Sequence, residues 1–144
     1  MAIDIQKITL DMGEAWFAHD TQKLLSYYSD DCIYEDVPLN IIKKGKEEIA
    51  KFIDGFFTAF PDIKGEVKSV FFSADRACVE AVMTGTHSNN GFPPDLPATG
   101  RVVSSRIVSI EEFKGDKVIR HVDYYDLYAF LRQLGVLPET KWMR

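Results

Sequence analysis

The spacing of apolar residues along the chain predicts four helices. Residues 3–19 carry an amphipathic helical pattern formed by Ile5, Ile8, Met12, Ala15 and Trp16. A short helix is predicted next, with Asp20 or Thr21 capping its first turn and Tyr28 near its end. A last helix is predicted over residues 127–134, because Gly135 and then Pro138 follow it.

The widest apolar stripe lies in residues 46–60. Its members stand at i, i+3, i+4, i+7, i+8 and i+11, and they are Ile49, Phe52, Ile53, Phe56, Phe57 and Phe60. Such a stripe covers one face of a helix, and Pro61 stands just past its end. The spacing predicts a helix that packs on the core rather than a cofactor motif.

From residue 63 onward the pattern becomes that of strands. Strands are predicted over residues 63–72, 76–86, 102–113 and 118–125, after an earlier strand over residues 32–35 that Pro38 stops. The links 73–75 and 114–116 are short, so the strands that they join are antiparallel. Residues 87–99 contain two Asn, one Gly and three Pro, which predicts a long loop bordering a functional site.

This order of elements predicts an α+β fold. Helices that come first and a four-strand meander that comes last are typical of helices packed on one face of a curved antiparallel or mixed sheet. Such an arrangement forms a cone with an open mouth, and its inner face is where chemistry is expected. No repeat, linker or low-complexity stretch interrupts the pattern, so a single domain is predicted over residues 1–144.

Composition and charge limit the partners. The 144 residues carry a net charge of -5 without a Lys/Arg cluster, which argues against nucleic acid and against an anionic membrane surface. The first residues lack the features of a secretory signal, and no apolar run approaches a membrane span, so a cytoplasmic location is expected. Ten Phe, six Tyr and two Trp provide walls for a small apolar ligand.

Asp123 is the strongest catalytic candidate. Alternation along the strand over residues 118–125 places His121, Asp123 and Tyr125 on one face. Burial on a cavity face is expected to raise the pKa of the Asp123 carboxyl toward a range useful for proton transfer. The alternative is a structural Asp bonded to a backbone amide. His121 lies about 7 Å along the same face, where it either joins the proton network of Asp123 or is structural.

Asp36 and Tyr34 share a face of the earlier strand. If Asp36 points inward, the cavity holds two carboxylates, and each raises the pKa of the other. The alternative role for Asp36 is to stabilise the turn before Pro38. The Tyr34 hydroxyl either faces the pocket or belongs to a residue that fills the core.

Further side chains are candidates for contacting the substrate. Arg106 either anchors an oxyanion or, as its strand position favours, lies on the exposed face. His87 begins the long loop and is expected at the rim of the pocket. Trp16 fits the core as well as the pocket. The remaining candidates for the pocket wall are Phe56, Phe92 and Tyr125.

Motifs for other chemistries do not occur. The His and Asp residues do not show the helical ligand spacing of a metal site, and no Ser-centred elbow or glycine-rich phosphate loop is found. The sequence therefore argues against a metal site, a nucleophilic hydrolase and a nucleotide-dependent enzyme.

Six segments of the chain resemble SnoaL-like polyketide cyclases, a family within the NTF2-like superfamily. Together they extend over nearly the whole chain, and they are residues 45–49, 57–62, 84–87, 96–101, 120–126 and 131–135. The resemblance implies an NTF2-like cone. It also implies an intramolecular aldol reaction that closes a polyketide ring without a metal or cofactor, with Asp123 as the acid/base.

Two related families qualify this expectation. A resemblance to limonene epoxide hydrolases also implies Asp123 as the catalytic acid/base. Their Tyr-x-Asn-x-Pro segment matches residues 34–38, with Asp36 in place of Asn. Their additional Arg and Asp have no counterpart in residues 79–84. Ketosteroid isomerases carry a Glu-Asp-Pro segment, which Val37 interrupts here, and Trp16 stands where their first helix carries Tyr.

Three functional hypotheses follow. The first is a cyclase or isomerase acting on a small apolar carbonyl compound by acid/base catalysis. The second is an epoxide hydrolase variant in which Asp123 activates water. The third is a non-catalytic domain that binds a small ligand or forms a dimer. A wide sheet face in so small a chain predicts a homodimer in each case.

Overall fold

The computed structural model describes residues 3–137. Its helices are α1 (Ile5–Phe17), α2 (Thr21–Ser26), α3 (Gly45–Ala59) and α4 (Leu127–Gln133). Its strands are β1 (Tyr28–Asp36), β2 (Ile41–Lys44), β3 (Lys64–Ser73), β4 (Arg76–Thr86), β5 (Val102–Lys114) and β6 (Lys117–Tyr125). The four predicted helices and the meander β3–β6 are confirmed, whereas Pro138 lies outside the described residues.

The strands form one mixed sheet in the order β2-β1-β6-β5-β4-β3. Strand β1 runs parallel to β6, and the other neighbouring pairs are antiparallel. This is the predicted α+β fold with its helices on a curved sheet. Two details of the prediction are wrong: Tyr28 begins β1 instead of ending the second helix, and β2 was not predicted.

Side-chain caps explain where the helices begin. Asp4, Asp20 and Asp126 each precede a helix and accept a hydrogen bond from the backbone amide three residues later. Helix α3 begins instead at Gly45, which has a φ of 80°. There the Glu48 carboxylate accepts the backbone N–H of Lys44 at 2.9 Å. These local hydrogen bonds define the residue at which each helix begins.

The apolar face of α3 closes the inner side of the sheet. On the side of α3 that faces the sheet, the helix buries Ile49, Ile53 and Phe57, as its periodicity predicts. Along β4, β5 and β6, residues that alternate in sequence point toward the helices, and their neighbours point away from them. None of the helices among residues 3–137 is long and apolar enough to cross a bilayer.

Candidate active site

The Asp123 carboxylate is buried on the inner face of β6 and is held by three side chains. Oδ1 accepts hydrogen bonds from the Ser109 hydroxyl at 2.6 Å and from His121 Nε2 at 2.7 Å. Oδ2 accepts a short hydrogen bond from the Tyr34 hydroxyl. No backbone amide within residues 3–137 is bonded to this carboxylate, so the alternative of a structural Asp held by a backbone amide does not describe it.

Asp123 and His121 form a buried ion pair. Burial by itself raises the pKa of Asp123, but the His121 charge and the hydrogen bonds from His121, Ser109 and Tyr34 outweigh burial and lower this pKa. Burial also opposes the charged form of His121, but the charge and hydrogen bond of Asp123 and the charge of Glu111 raise the pKa of His121. The predicted rise of the Asp123 pKa is therefore wrong, because the charge of His121 and the three hydrogen bonds outweigh the burial.

The second nitrogen of His121 faces Tyr28 and Glu111. The Tyr28 hydroxyl lies 3.2 Å from Nδ1, and Glu111 Oε1 lies 3.7 Å from the same atom. The imidazole also stacks on the Tyr34 ring, with their centroids 4.5 Å apart. Burial raises the pKa of Glu111 to about 7. These contacts fix the orientation of the imidazole that holds Asp123.

Asp36 is the second carboxylate on the cavity wall. It is the direct neighbour of Asp123 in the parallel pairing of β1 with β6. Its Oδ1 accepts the Tyr125 hydroxyl at 2.9 Å and the Leu39 backbone amide at 3.0 Å. Burial raises the pKa of Asp36 to about 6. Asp36 thus both points inward and stabilises the turn after β1, which joins the two alternatives that the sequence left open.

An apolar cavity opens in front of these carboxylates. Its space, the mouth included, is about 600 Å³. Seven of the ten predicted site residues line it: Trp16, Tyr34, Asp36, Phe56, Phe92, Asp123 and Tyr125. Phe52, Met83 and Phe130 complete much of its wall. Aromatic walls around a few polar groups are typical of sites for flat apolar ligands.

Two candidate substrate contacts do not line the cavity: Arg106 takes the exposed position that its strand pattern favours, and the expected rim position of His87 is wrong. Arg106 is exposed on the outer face of β5, while its neighbours Ser105 and Ile107 line the cavity. His87 is fully buried rather than at the rim. Its Nδ1 accepts the Thr99 backbone amide at 3.1 Å, and Nε2 donates to the Phe92 carbonyl at 2.9 Å. His87 therefore fastens the long loop that carries Phe92 into the cavity wall.

Sequence reasoning missed three polar residues of the site, namely Ser109, Glu111 and Tyr28. Ser109 stands opposite Asp123 in the pairing of β5 with β6, and Glu111 stands opposite His121. The alternation of β5 contained a partial signal, because Ser109 and Glu111 share its inner face. Within residues 3–137, no group of three His, Cys, Asp or Glu side chains has a geometry suited to a metal ion.

Comparisons with known proteins show the family and the fold of the chain. The chain matches the model of the SnoaL-like polyketide cyclases over residues 7–134. AclR from Streptomyces galilaeus, named as a candidate hydroxylase, is 28% identical with a TM-score of 0.78, and the match covers 92% of this chain and 96% of AclR. No curated protein gives a significant match in sequence.

Two more distant structures share the fold. A candidate SnoaL-like polyketide cyclase from Jannaschia sp. CCS1 is 20% identical with a TM-score of 0.81, over 93% of this chain and 92% of that one. IdmH from Streptomyces antibioticus, a candidate polyketide cyclase, is 19% identical with a TM-score of 0.74, over 91% of this chain and 98% of that one.

Proposed function

The chain belongs to the SnoaL-like polyketide cyclase family, and we propose that it closes a ring in an apolar carbonyl compound by acid/base catalysis without a cofactor. The observation that carries this proposal is the Asp123 carboxylate, which is buried at the wall of an aromatic cavity and held by side chains alone. A carboxylate fixed in this way is available to accept a proton from a bound substrate.

The ion pair defines the resting state of the base. The pKa of Asp123 lies below its ordinary value and that of His121 above it, so the carboxylate is ionised at neutral pH. A carboxylate of low pKa is a weak base. The carbon acid that it serves is therefore a reactive one, acidified by a second carbonyl or by an aromatic ring beside the first carbonyl.

The proposed reaction begins with proton transfer from the substrate carbon to Asp123. The C–H electron pair moves into the adjacent carbonyl and forms an enolate. Protonation of Asp123 frees the Tyr34 hydroxyl to donate to the enolate oxygen, and burial raises the pKa of Tyr34, so it remains a donor. The enolate carbon attacks a second carbonyl of the same molecule, and the resulting alkoxide takes the proton back from Asp123.

The first step is testable with 2-tetralone, an apolar bicyclic ketone whose C-1 protons lie between a carbonyl and an aromatic ring. In D₂O we expect the wild-type protein to accelerate deuterium uptake at C-1 above the buffer rate, with saturation in ketone, as followed by proton NMR. Saturable binding of the ketone without any acceleration is the opposite result, and it supports the non-catalytic binding domain instead.

Replacing Tyr34 by Phe tests the role of its hydroxyl. Removal of one donor to a developing oxyanion lowers kcat by about 10² to 10³-fold in well-studied sites, and we expect about 10²-fold here, with little change in KM. Tyr124→Phe is the matched control, since Tyr124 is exposed on the opposite face of β6. A Tyr34→Phe variant with wild-type kcat for exchange excludes this role.

The epoxide hydrolase alternative requires an Arg and a second Asp on the inner face of strand β4, and this face carries neither. The side chains that β4 contributes to the inner face are Val79, Ala81 and Met83. An apolar strand in this place offers no Arg to bind an epoxide oxygen and no second Asp to orient water. This supports the cyclase type over the hydrolase.

We also propose that the outer face of the sheet joins two copies of the chain. Val82, Val108 and Ile110 point away from the helices and are only half-buried, and Tyr124 is exposed beside them. An apolar face of this kind commonly forms a self-complementary interface. Light scattering coupled to size-exclusion chromatography should give the mass of a dimer, and the mass of a monomer at micromolar concentration excludes this interface.

A further inference from the structure

A second chamber lies behind Asp123, between helix α1 and strands β3–β5. Its space, openings included, is about 650 Å³, and its wall is mostly apolar, with Met12, Phe17, Val70, Val79 and Ala81 among its residues. It meets the first cavity at five residues that line both spaces, namely Trp16, Tyr34, Met83, Ile107 and Asp123. The Trp16 indole N–H donates to Met83 Sδ at 3.2 Å. This contact lies at the boundary between the two spaces.

Glu111 brings an unsatisfied carboxylate oxygen to this chamber. Its side chain is only 6% exposed and lies on the chamber wall. Oε1 is 3.7 Å from His121 Nδ1, whereas Oε2 has no hydrogen-bond partner within residues 3–137. A buried carboxylate oxygen without a donor is unfavourable, and the mechanism proposed above gives this atom no part. A hydrogen-bond donor to Glu111 Oε2 is therefore missing from the chamber.

The charges around Glu111 indicate which donor is missing. The titratable groups that line the chamber with it are His121 and Asp123 on β6 and Tyr28 and Tyr34 on β1, while α1, β3 and β4 contribute uncharged residues. His121 already pairs with Asp123 at 2.7 Å. No Lys or Arg is among the residues that line either space. The ionised Glu111 consequently has no cation of its own.

We propose that this chamber is a second binding site, which takes an apolar molecule carrying a primary ammonium group. The ammonium donates to Glu111 Oε2 and supplies the missing positive charge. The apolar part packs under α1 against Phe17, Val79 and Ala81. Trp16 and Phe17 add aromatic faces, which attract a cation as well as an apolar ring. The proposed ammonium position belongs to this chamber alone, because Glu111 does not line the cavity in which the ring closure is proposed.

The probe for this site is 2-phenylethylamine, measured by isothermal titration calorimetry. We expect saturable binding to the wild-type protein and at least about tenfold weaker binding to Glu111→Gln, because a hydrogen bond to a charged group is lost. Glu112→Gln is the matched control, since the neighbouring Glu112 faces outward and pairs with Arg76 at 2.9 Å. This control should bind the amine as the wild type does.

The ammonium itself is tested with 2-phenylethanol, which has a similar shape and no charge. We expect it to bind at least about tenfold more weakly than the amine. Amine affinity should also rise between pH 6 and pH 8, because the pKa of Glu111 is about 7 and its ionised form is the binding form. Equal binding of the alcohol overturns the proposal, as does an amine affinity that falls over this pH range.

One further variant separates this site from the catalytic proposal. Ala81→Leu narrows the second chamber alone, so we expect it to lose amine binding even if Glu111→Gln fails to fold. Absence of saturable binding, or unchanged binding in Glu111→Gln and Ala81→Leu, overturns the second site. Absence of 2-tetralone exchange refutes only the catalytic proposal.

Discussion

Asp123→Asn should lower the rate of 2-tetralone exchange by about 10² to 10⁴-fold, the contribution that a positioned acid/base group makes in enzymes. Asn has nearly the same shape, and its carbonyl oxygen can accept from Ser109 while its NH2 donates to the Tyr34 hydroxyl, but it cannot accept a substrate proton. The loss should appear in kcat more than in KM, because the apolar wall that binds the ketone is unchanged. Proton NMR of deuterium uptake at C-1 measures both constants.

Asp126→Asn is the control for this change. Asp126 lies three residues further along and caps α4 by accepting the Ala129 backbone amide at 2.9 Å. Asn preserves that cap, and Asp126 is not among the residues that line either space. Wild-type exchange in Asp123→Asn, or an equal loss in both variants, contradicts the assignment of Asp123 as the base.

The second large effect is expected on stability. His121→Gln leaves the buried Asp123 carboxylate without its counter-ion, which typically destabilises a protein by about 3 to 5 kcal/mol. Adding Asp123→Asn removes the unpaired charge. The double variant should therefore be more stable than the sum of the two single effects implies, by about 1 to 3 kcal/mol. Urea unfolding followed by circular dichroism gives these free energies.

The pH dependence of this coupling follows from the two pKa shifts. The lowered pKa of Asp123 contributes stability that is present above its ordinary value of 3.8 and is lost as the pH falls through the folded pKa. The raised pKa of His121 contributes stability that is present below its ordinary value of 6.5 and is lost as the pH rises through the folded pKa. The coupling free energy between the two substitutions should be largest between pH 3.8 and pH 6.5. Single effects that are strictly additive in this range contradict a buried ion pair.

Local patterns in the sequence predicted much of the fold. The apolar stripe of α3 is a repeated signal that depends on helix geometry alone, and the hairpins of the meander depend on short links. Alternation along β6 also placed His121, Asp123 and Tyr125 on one face correctly. These features need no knowledge of distant parts of the chain.

The polar partners of Asp123 depend on register, which the sequence does not specify. Counting back from the turn 115–116 without irregularity places Val108 opposite Asp123. An irregularity between Glu112 and Phe113 shifts the pairing by one residue, so Ser109 faces Asp123. The parallel pairing of β1 with β6, which brings Asp36 beside Asp123, is likewise a long-range contact. The expected rise of the Asp123 pKa is wrong because the charge of His121, a neighbour on the same strand, outweighs burial, and the hydrogen bond from Ser109 adds to this effect.

The pH profile of kcat/KM for 2-tetralone exchange tests the central assignment most directly, because the two cavity carboxylates ionise in different ranges. With Asp123 as the base, the rate should stay constant as the pH falls from 8 through 5, since the pKa of Asp123 is below 3.8. A rate that falls with an apparent pKa of about 6 matches Asp36 instead. That result would contradict the account.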